Sequence, residues 1–199
     1  MTQYDVYGIG NALVDMAYSV DDKFLIENGV AKGHMTLVDR LRMERLISSL
    51  GELVPERACG GSAANTIFAV RGFGGQAYYS CRVSNDSTGN YFVSEMRDAG
   101  IMTNPQDPTT SGRSGRCLIL VSPDAERSMN SYLGVSEHLT VDQIDEASLT
   151  RSRYLFIEGY LASSTSGTVA AARAREIADR NDISTSLTLS DPTMVNFFR

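Results

Sequence analysis

A layered α/β fold with a largely parallel sheet is the architecture this sequence predicts, and three observations carry it. Short runs of β-branched and aromatic residues alternate with amphipathic stretches through most of the 199 residues. Parallel strands need such helical crossovers between them. Glycines at 29, 51 and 100 close three of the helical stretches, as expected where a chain leaves a helix in a left-handed conformation. Two regions then break the alternation, residues 16–20 and a hairpin within 116–133. They read as a small β appendage projecting from the main sheet.

Taken in order, residues 4–9 (YDVYGI) form a short strand ending in Gly8-Ile9-Gly10, and 16–20 continue as a second strand. A short helix spans 22–28, and 34–38 is a weaker strand. Residues 40–50 make a helix with Leu41, Leu46, Ile47 and Leu50 on its inner side. Residues 53–59 lead into Gly60-Gly61, where Ser62 opens an Ala-rich helix with Ala63, Ala64, Ile67, Phe68 and Arg71 along one side. A strand over 76–84 and a helix over 88–99 follow, then a loop over 104–115 rich in Pro, Thr, Ser and Gly. Residues 116–122 and 127–133 flank Pro123-Asp124-Ala125-Glu126, a hairpin signature. The remainder reads as a helical connection at 139–147, a buried strand at 153–158 and a helix at 165–180. In that helix Ala170, Ala174, Ile177 and Ala178 share a face. A last strand covers 184–189, and Ser190-Asp191-Pro192 turns the chain.

Composition bounds the function. With 42% hydrophobic and 21% charged residues the chain is an ordinary globular one, a single large domain or a domain with an appendage. A net charge of -6 without any basic run argues against nucleic acid, whose phosphates require a cationic face. The N-terminus lacks the charged and apolar regions of a secretory signal, and no apolar run reaches membrane-spanning length, so the expected setting is cytoplasmic and free of membrane. Cys59, Cys81 and Cys117 are widely spaced and read as buried thiols in a reducing compartment. His34 and His138 have no ligand-like neighbours, which speaks against a structural metal site.

The chemistry collects at a few places. Gly60-Gly61 at a strand-to-helix turn lets a ligand approach the backbone, and the helix start presents N–H groups. Asn65, one turn in, aims an amide at the same place. The segment GIGNALVD at 8–15 lacks the third glycine of a dinucleotide fingerprint, because Leu13 stands there. Two readings of it stay open. Asn11 and Asp15 either face a crevice at the carboxyl end of the first strand, where they suit vicinal hydroxyls, or form a helix-capping pair. Neither GxxxxGK[ST] nor GxSxG occurs, which removes the common NTPase loop and the serine hydrolase elbow. Arg127, just past the hairpin turn, is by itself a solvated strand residue. Glu158 ends a strongly apolar strand, and is either at a sheet edge in water or directed at a ligand.

Together these motifs resemble the N-terminal signature of the ribokinase-like (PfkB) carbohydrate and nucleoside kinases. The resemblance rests on GNALVD at 10–15, GGSAANT at 60–66, GFGG at 72–75 and VSNDSTG at 83–89. LVSPDAERSM at 120–129, IEGYL at 157–161 and the LSDPxMVxxF wording at the end extend it over essentially the whole chain. The wording is most similar to the adenosine-kinase side of the family. The resemblance implies a three-layer αβα ribokinase-like fold with a β-sheet lid built from about 16–20, 34–38 and 116–133. It implies ATP and Mg2+ as cofactors and a nucleoside or free sugar as substrate, and it offers the lid as a surface for a homodimer. Asn11 and Asp15 would bind sugar hydroxyls, Gly60 and Gly61 would form the hinge beneath the substrate, and Asn65 would bind another hydroxyl. Arg127 would be the lid arginine, and Glu158 a carboxylate that reaches the sugar.

Two departures qualify this. Ile67 stands where many family members carry a smaller residue. More importantly, the family's DTxGAGD signature, which supplies the catalytic aspartate and the anion hole, and its NxxE magnesium motif are not among the 199 residues. The resemblance therefore places the catalytic residues beyond Arg199 and makes residues 1–199 an incomplete domain that carries the substrate half. A chain that ended there would be a non-catalytic binding module.

Overall fold

Two five-stranded sheets organise the molecule, seen in a computed structural model that describes residues 3–104, 111–190 and 192–197. In chain order the first half runs β1 (Tyr4–Ile9), β2 (Leu13–Ser19), α1 (Asp22–Glu27), β3 (Met35–Leu37), α2 (Arg40–Ser49), β4 (Glu56–Gly60), α3 (Ser62–Gly72), β5 (Ala77–Ser80) and α4 (Ser87–Asp98). The second half runs β6 (Met102–Thr103), β7 (Gly115–Val121), β8 (Arg127–Tyr132), α5 (Glu146–Leu149), β9 (Ser152–Glu158), α6 (Thr165–Arg180), β10 (Ser184–Thr188) and α7 (Pro192–Phe197). Short 3-10 turns lie at Gly134–His138, Val141–Gln143 and Gly159–Ser163.

The main sheet has the order β10-β9-β1-β5-β6, and every pairing in it is parallel. Alternation along the strands divides its side chains between two layers. On one side Tyr7, Ile9, Leu155 and Ile157 pack with Ala170, Ala174, Ile177 and Ala178 of α6. On the other, Ala77 and Tyr79 pack with Ala63, Ala64 and Ile67 of α3. Helices on both faces of a parallel sheet make the three-layer αβα arrangement expected from the sequence. Ile67, the bulky departure, finds its room above Gly8, where a Cβ would lie 2.7 Å from Ile67 Cγ1. The extra volume on α3 is offset by its absence on β1.

The second sheet, β3-β8-β7-β2-β4, is mixed. Strand β2 runs parallel to β7 and antiparallel to β4, and β7 and β8 form the expected hairpin. Val14, Met16, Tyr18, Leu118 and Leu120 on one face are buried with Leu25 of α1, Met43, Leu46 and Leu50 of α2, and Phe92 of α4. The two-residue repeat therefore turns Asp15, Cys117, Arg127 and Ser131 to the opposite face.

Several expectations need correction. The strand read at 16–20 begins at Leu13, three residues earlier. The strand expected to enter the Gly60-Gly61 turn is β4, whose extent carries no signal of its own, since exposed Glu56, Arg57 and Ala58 give no alternating apolar pattern at a sheet edge. The strand expected over 76–84 stops at Ser80, because Cys81 N–H turns to the Asn104 side chain at 2.9 Å. Leu41 is 56% exposed, and Met43 takes the inward position on α2. In the loop expected at 104–115, residues 105–110 lie outside the described residues, as does Asp191 of the turn at 190–192. Pro192 opens α7, a first-turn position that proline suits. Strand β10 is the sheet's edge, with Leu187 57% and Leu189 64% exposed beside it.

Candidate functional site

Parallel register brings the carboxyl ends of β1 and β9 to one edge, with Ile9 opposite Ile157. The next residues, Gly10-Asn11 and Glu158, therefore meet. Glu158 is 1% exposed. Its Oε2 accepts Asn11 N–H at 2.6 Å, and its Oε1 accepts Ser62 Oγ–H at 2.6 Å and Ala63 N–H at 3.2 Å. Burial raises its pKa, and these hydrogen bonds from Ser62, Asn11 and Ala63 oppose the rise. The reading of Glu158 at a sheet edge in water is thus wrong, since an apolar strand carried the carboxylate inside. The expectation that the start of α3 offers its N–H groups to a ligand is corrected too. The N-cap is Gly61, which has no side chain to cap with, and Glu158 takes that place from 95 residues away.

Asn11 is 4% exposed and held on three sides. Besides the bond to Glu158, its carbonyl accepts Tyr79 OH at 2.8 Å and its side-chain Oδ1 accepts Ser136 Oγ–H at 3.3 Å. Asp15 follows on β2, in register with Ala58 of β4 and Cys117 of β7. Neither residue caps a helix, which removes the capping alternative: Asp21, Asp39, Asp86, Asp145 and Ser164 do that. Burial pushes the Asp15 carboxyl up to about 6, and the nearby Arg127 guanidinium pulls it back down. Cys117, opposite Asp15, is itself pushed up to about 11 by burial and is no thiolate at neutral pH.

The two glycines are explained by what they touch. A Cβ at residue 60 would fall on the Asp15 carboxylate. Gly61 has φ 106 and ψ 133, a conformation essentially closed to other residues, and a Cβ there would lie 2.5 Å from the Asn11 carbonyl oxygen. The pair lets β4 turn into α3 directly beneath Asn11 and Asp15. Five sequence-derived residues, Asn11, Asp15, Gly60, Gly61 and Glu158, thereby form one contiguous cluster. Asn65 lies in the first turn of α3 with its side chain exposed, and Arg127 is exposed at the start of β8. Ser62, Tyr79 and Ser136 were not expected in the site from sequence. Small hydroxyl residues and a core tyrosine carry no local signal, and only the tertiary fold brings Tyr79 and Ser136 to Asn11 and Ser62 to Glu158.

The arrangement gathers a half-buried carboxylate and a buried amide about one glycine turn, groups of the kind that hydrogen-bond hydroxyls. Two surface hollows, one of about 520 Å³ beside Ala172 and Arg175 on α6 and one of about 360 Å³ between α2 and the start of α4, lie away from it. Among the described residues no group of three or more His, Cys, Asp or Glu is placed to hold a metal ion.

Comparison with known proteins defines the class. Residues 54–198 match the model of the pfkB family carbohydrate kinases. The chain belongs to the PfkB family. It is 26% identical over 192 residues to the guanosine-inosine kinase of Escherichia coli K12, covering 92% of this chain and 44% of that protein. Among solved structures it is similar to the adenosine kinase of Sinorhizobium meliloti, with a TM-score of 0.86 and 37% identity, over 97% of this chain and 58% of that one. A probable sugar kinase of Rhizobium etli CFN 42 aligns with a TM-score of 0.89 and 34% identity, over 98% and 59% of the respective chains. The chain thus spans less than half the length of the curated relative and under three-fifths of the solved ones.

Proposed function

We propose that this chain is the substrate-binding half of an ATP-dependent kinase that phosphorylates a primary hydroxyl of an adenosine-like nucleoside. The observation that carries the proposal is the juxtaposition of the Asp15 carboxylate, the Asn11 amide and the Gly60-Gly61 floor. A ribose presents two adjacent hydroxyls, and this cluster offers an acceptor and an amide to bind them. Arg127, close enough to Asp15 to pull its carboxyl down, would come near the reacting groups as the lid moves, and Asn65, exposed in the first turn of α3, would bind a further hydroxyl. Glu158 acts in this reading by holding Asn11 and the start of α3 in place. The similarity to an adenosine kinase favours the nucleoside over a free sugar. The similarity to a probable sugar kinase favours ribose or fructose as the second reading.

The lid is the second sheet, β3-β8-β7-β2-β4, and its closing over the floor would exclude water from the transfer. ATP with magnesium would supply the phosphoryl group. The described residues offer no acidic cluster fitted to the ion, so what these residues contribute is binding, orientation and exclusion of water. A cytoplasmic setting agrees with three free thiols. The test is steady-state kinetics of the full-length protein with adenosine. Asp15→Ala is expected to raise KM about 10- to 100-fold. An unchanged KM removes Asp15 from the site.

A further inference from the structure

We infer that Ser136 is the positioning residue that orients Asn11, turning its amide oxygen inward so that the NH2 group faces the ligand as a donor. This rests on the reading that Asn11 binds a substrate hydroxyl. Ser136 is fully buried and stands 125 residues from Asn11 in the chain. Its Oγ accepts Ala12 N–H at 2.7 Å, and it donates to Asn11 Oδ1 at 3.3 Å. A hydroxyl has one proton, so the two contacts give Ser136 a defined polarity and hand it on to the amide. Asn11 then can only donate outward, while ionised Asp15 can only accept. The pair reads one hydroxyl oxygen and one hydroxyl proton, a narrower demand than two interchangeable polar groups would make.

Ser136 is itself well held. It lies in the 3-10 turn directly after β8, where Val135 N–H bonds Arg113 O at 2.9 Å and Ser136 N–H bonds Leu133 O at 3.2 Å. The lid strand that begins with Arg127 thus leads, four residues past its end, to the group that sets Asn11.

A double-mutant cycle in the full-length protein tests this, read by calorimetric titration with adenosine. Ser136→Ala and Asn11→Ala are each expected to weaken Kd about 10-fold, and the double variant to bind no worse than Asn11→Ala. Losses that multiply overturn the proposal, because Ser136 would then act through the fold alone. Ser136→Thr keeps the oxygen and should retain most of the affinity; a loss as large as that of Ser136→Ala also overturns it. If the unmodified protein ignores adenosine but binds ribose or fructose, the nucleoside reading fails and the cycle is read with that sugar. Without any ligand, the Asn11 side-chain amide gives the same answer by NMR. Its carbonyl-carbon and NH2 chemical shifts should move in Ser136→Ala, because Oδ1 loses its donor, and unchanged shifts contradict the proposal.

Discussion

At the scale of single residues, the site depends on two carboxylates placed in opposite ways. Asp15 sits over Gly60 with its carboxyl pushed up to about 6 by burial. The ionised form accepts from a substrate hydroxyl at either oxygen and more strongly than the protonated form, so affinity should fall as pH drops through about 6. Arg127→Ala should move that midpoint upward, since Arg127 pulls it down; titrations between pH 5 and 8 read both effects. The stability consequence has the opposite sense. A folded value above the unfolded one stabilises the protein at low pH, and that contribution is lost as pH rises through about 6. Asp15→Asn should therefore be more stable than the native protein at pH 8, by on the order of 2 kcal/mol in thermal or urea melts. Glu158 is enclosed by donors on both oxygens. In Glu158→Gln the NH2 group must face one of them, and the expected cost is about 2–4 kcal/mol, read in the same melts.

At the scale of elements, the junction from β4 into α3 decides the geometry. Gly61→Ala should cost stability, because both its φ of 106 and the Asn11 carbonyl oppose a side chain. Gly60→Ala should leave melting nearly as it was but displace Asp15, and binding should weaken by about 10-fold or more. A Gly60→Ala protein that binds normally would contradict the close packing described. Much of this junction was legible in the chain. The glycine pair, the Ala-rich helix after it and the buried faces of α3 and α6 all follow from local pattern, because apolar spacing and glycine are local signals. The extent of β4 and its pairing with β2 were not legible, since an exposed edge strand of Glu56, Arg57 and Ala58 is held by hydrogen bonds to β2 and not by burial of alternate side chains. The cap of α3 was equally hidden. A helix whose cap lies 95 residues away gives no capping motif at its own start.

At the scale of the whole molecule, the αβα layering and the lid follow from where the strand–helix alternation holds and where it breaks. The parallel main sheet was readable from its crossovers. The grouping of β2 with the β7–β8 hairpin was readable from the break in the alternation, β3 joined it only through family resemblance, and the place of β4 in that sheet was not readable, because register between distant strands leaves no trace in either segment alone. The same holds for the site. Asn11, Asp15, Gly60 and Gly61 stood out as residue types, whereas Ser136 and Tyr79 became part of it only through contacts across more than sixty residues. The central claim is that this floor binds the ribose of a nucleoside through Asn11 and Asp15. Calorimetric titration of the full-length protein with adenosine, ribose and fructose tests it most directly. Adenosine should bind most tightly, with Asp15→Ala losing about 10-fold or more in Kd. A clear preference for a free hexose, or an Asp15→Ala protein that binds adenosine as well as the native one, would contradict the account.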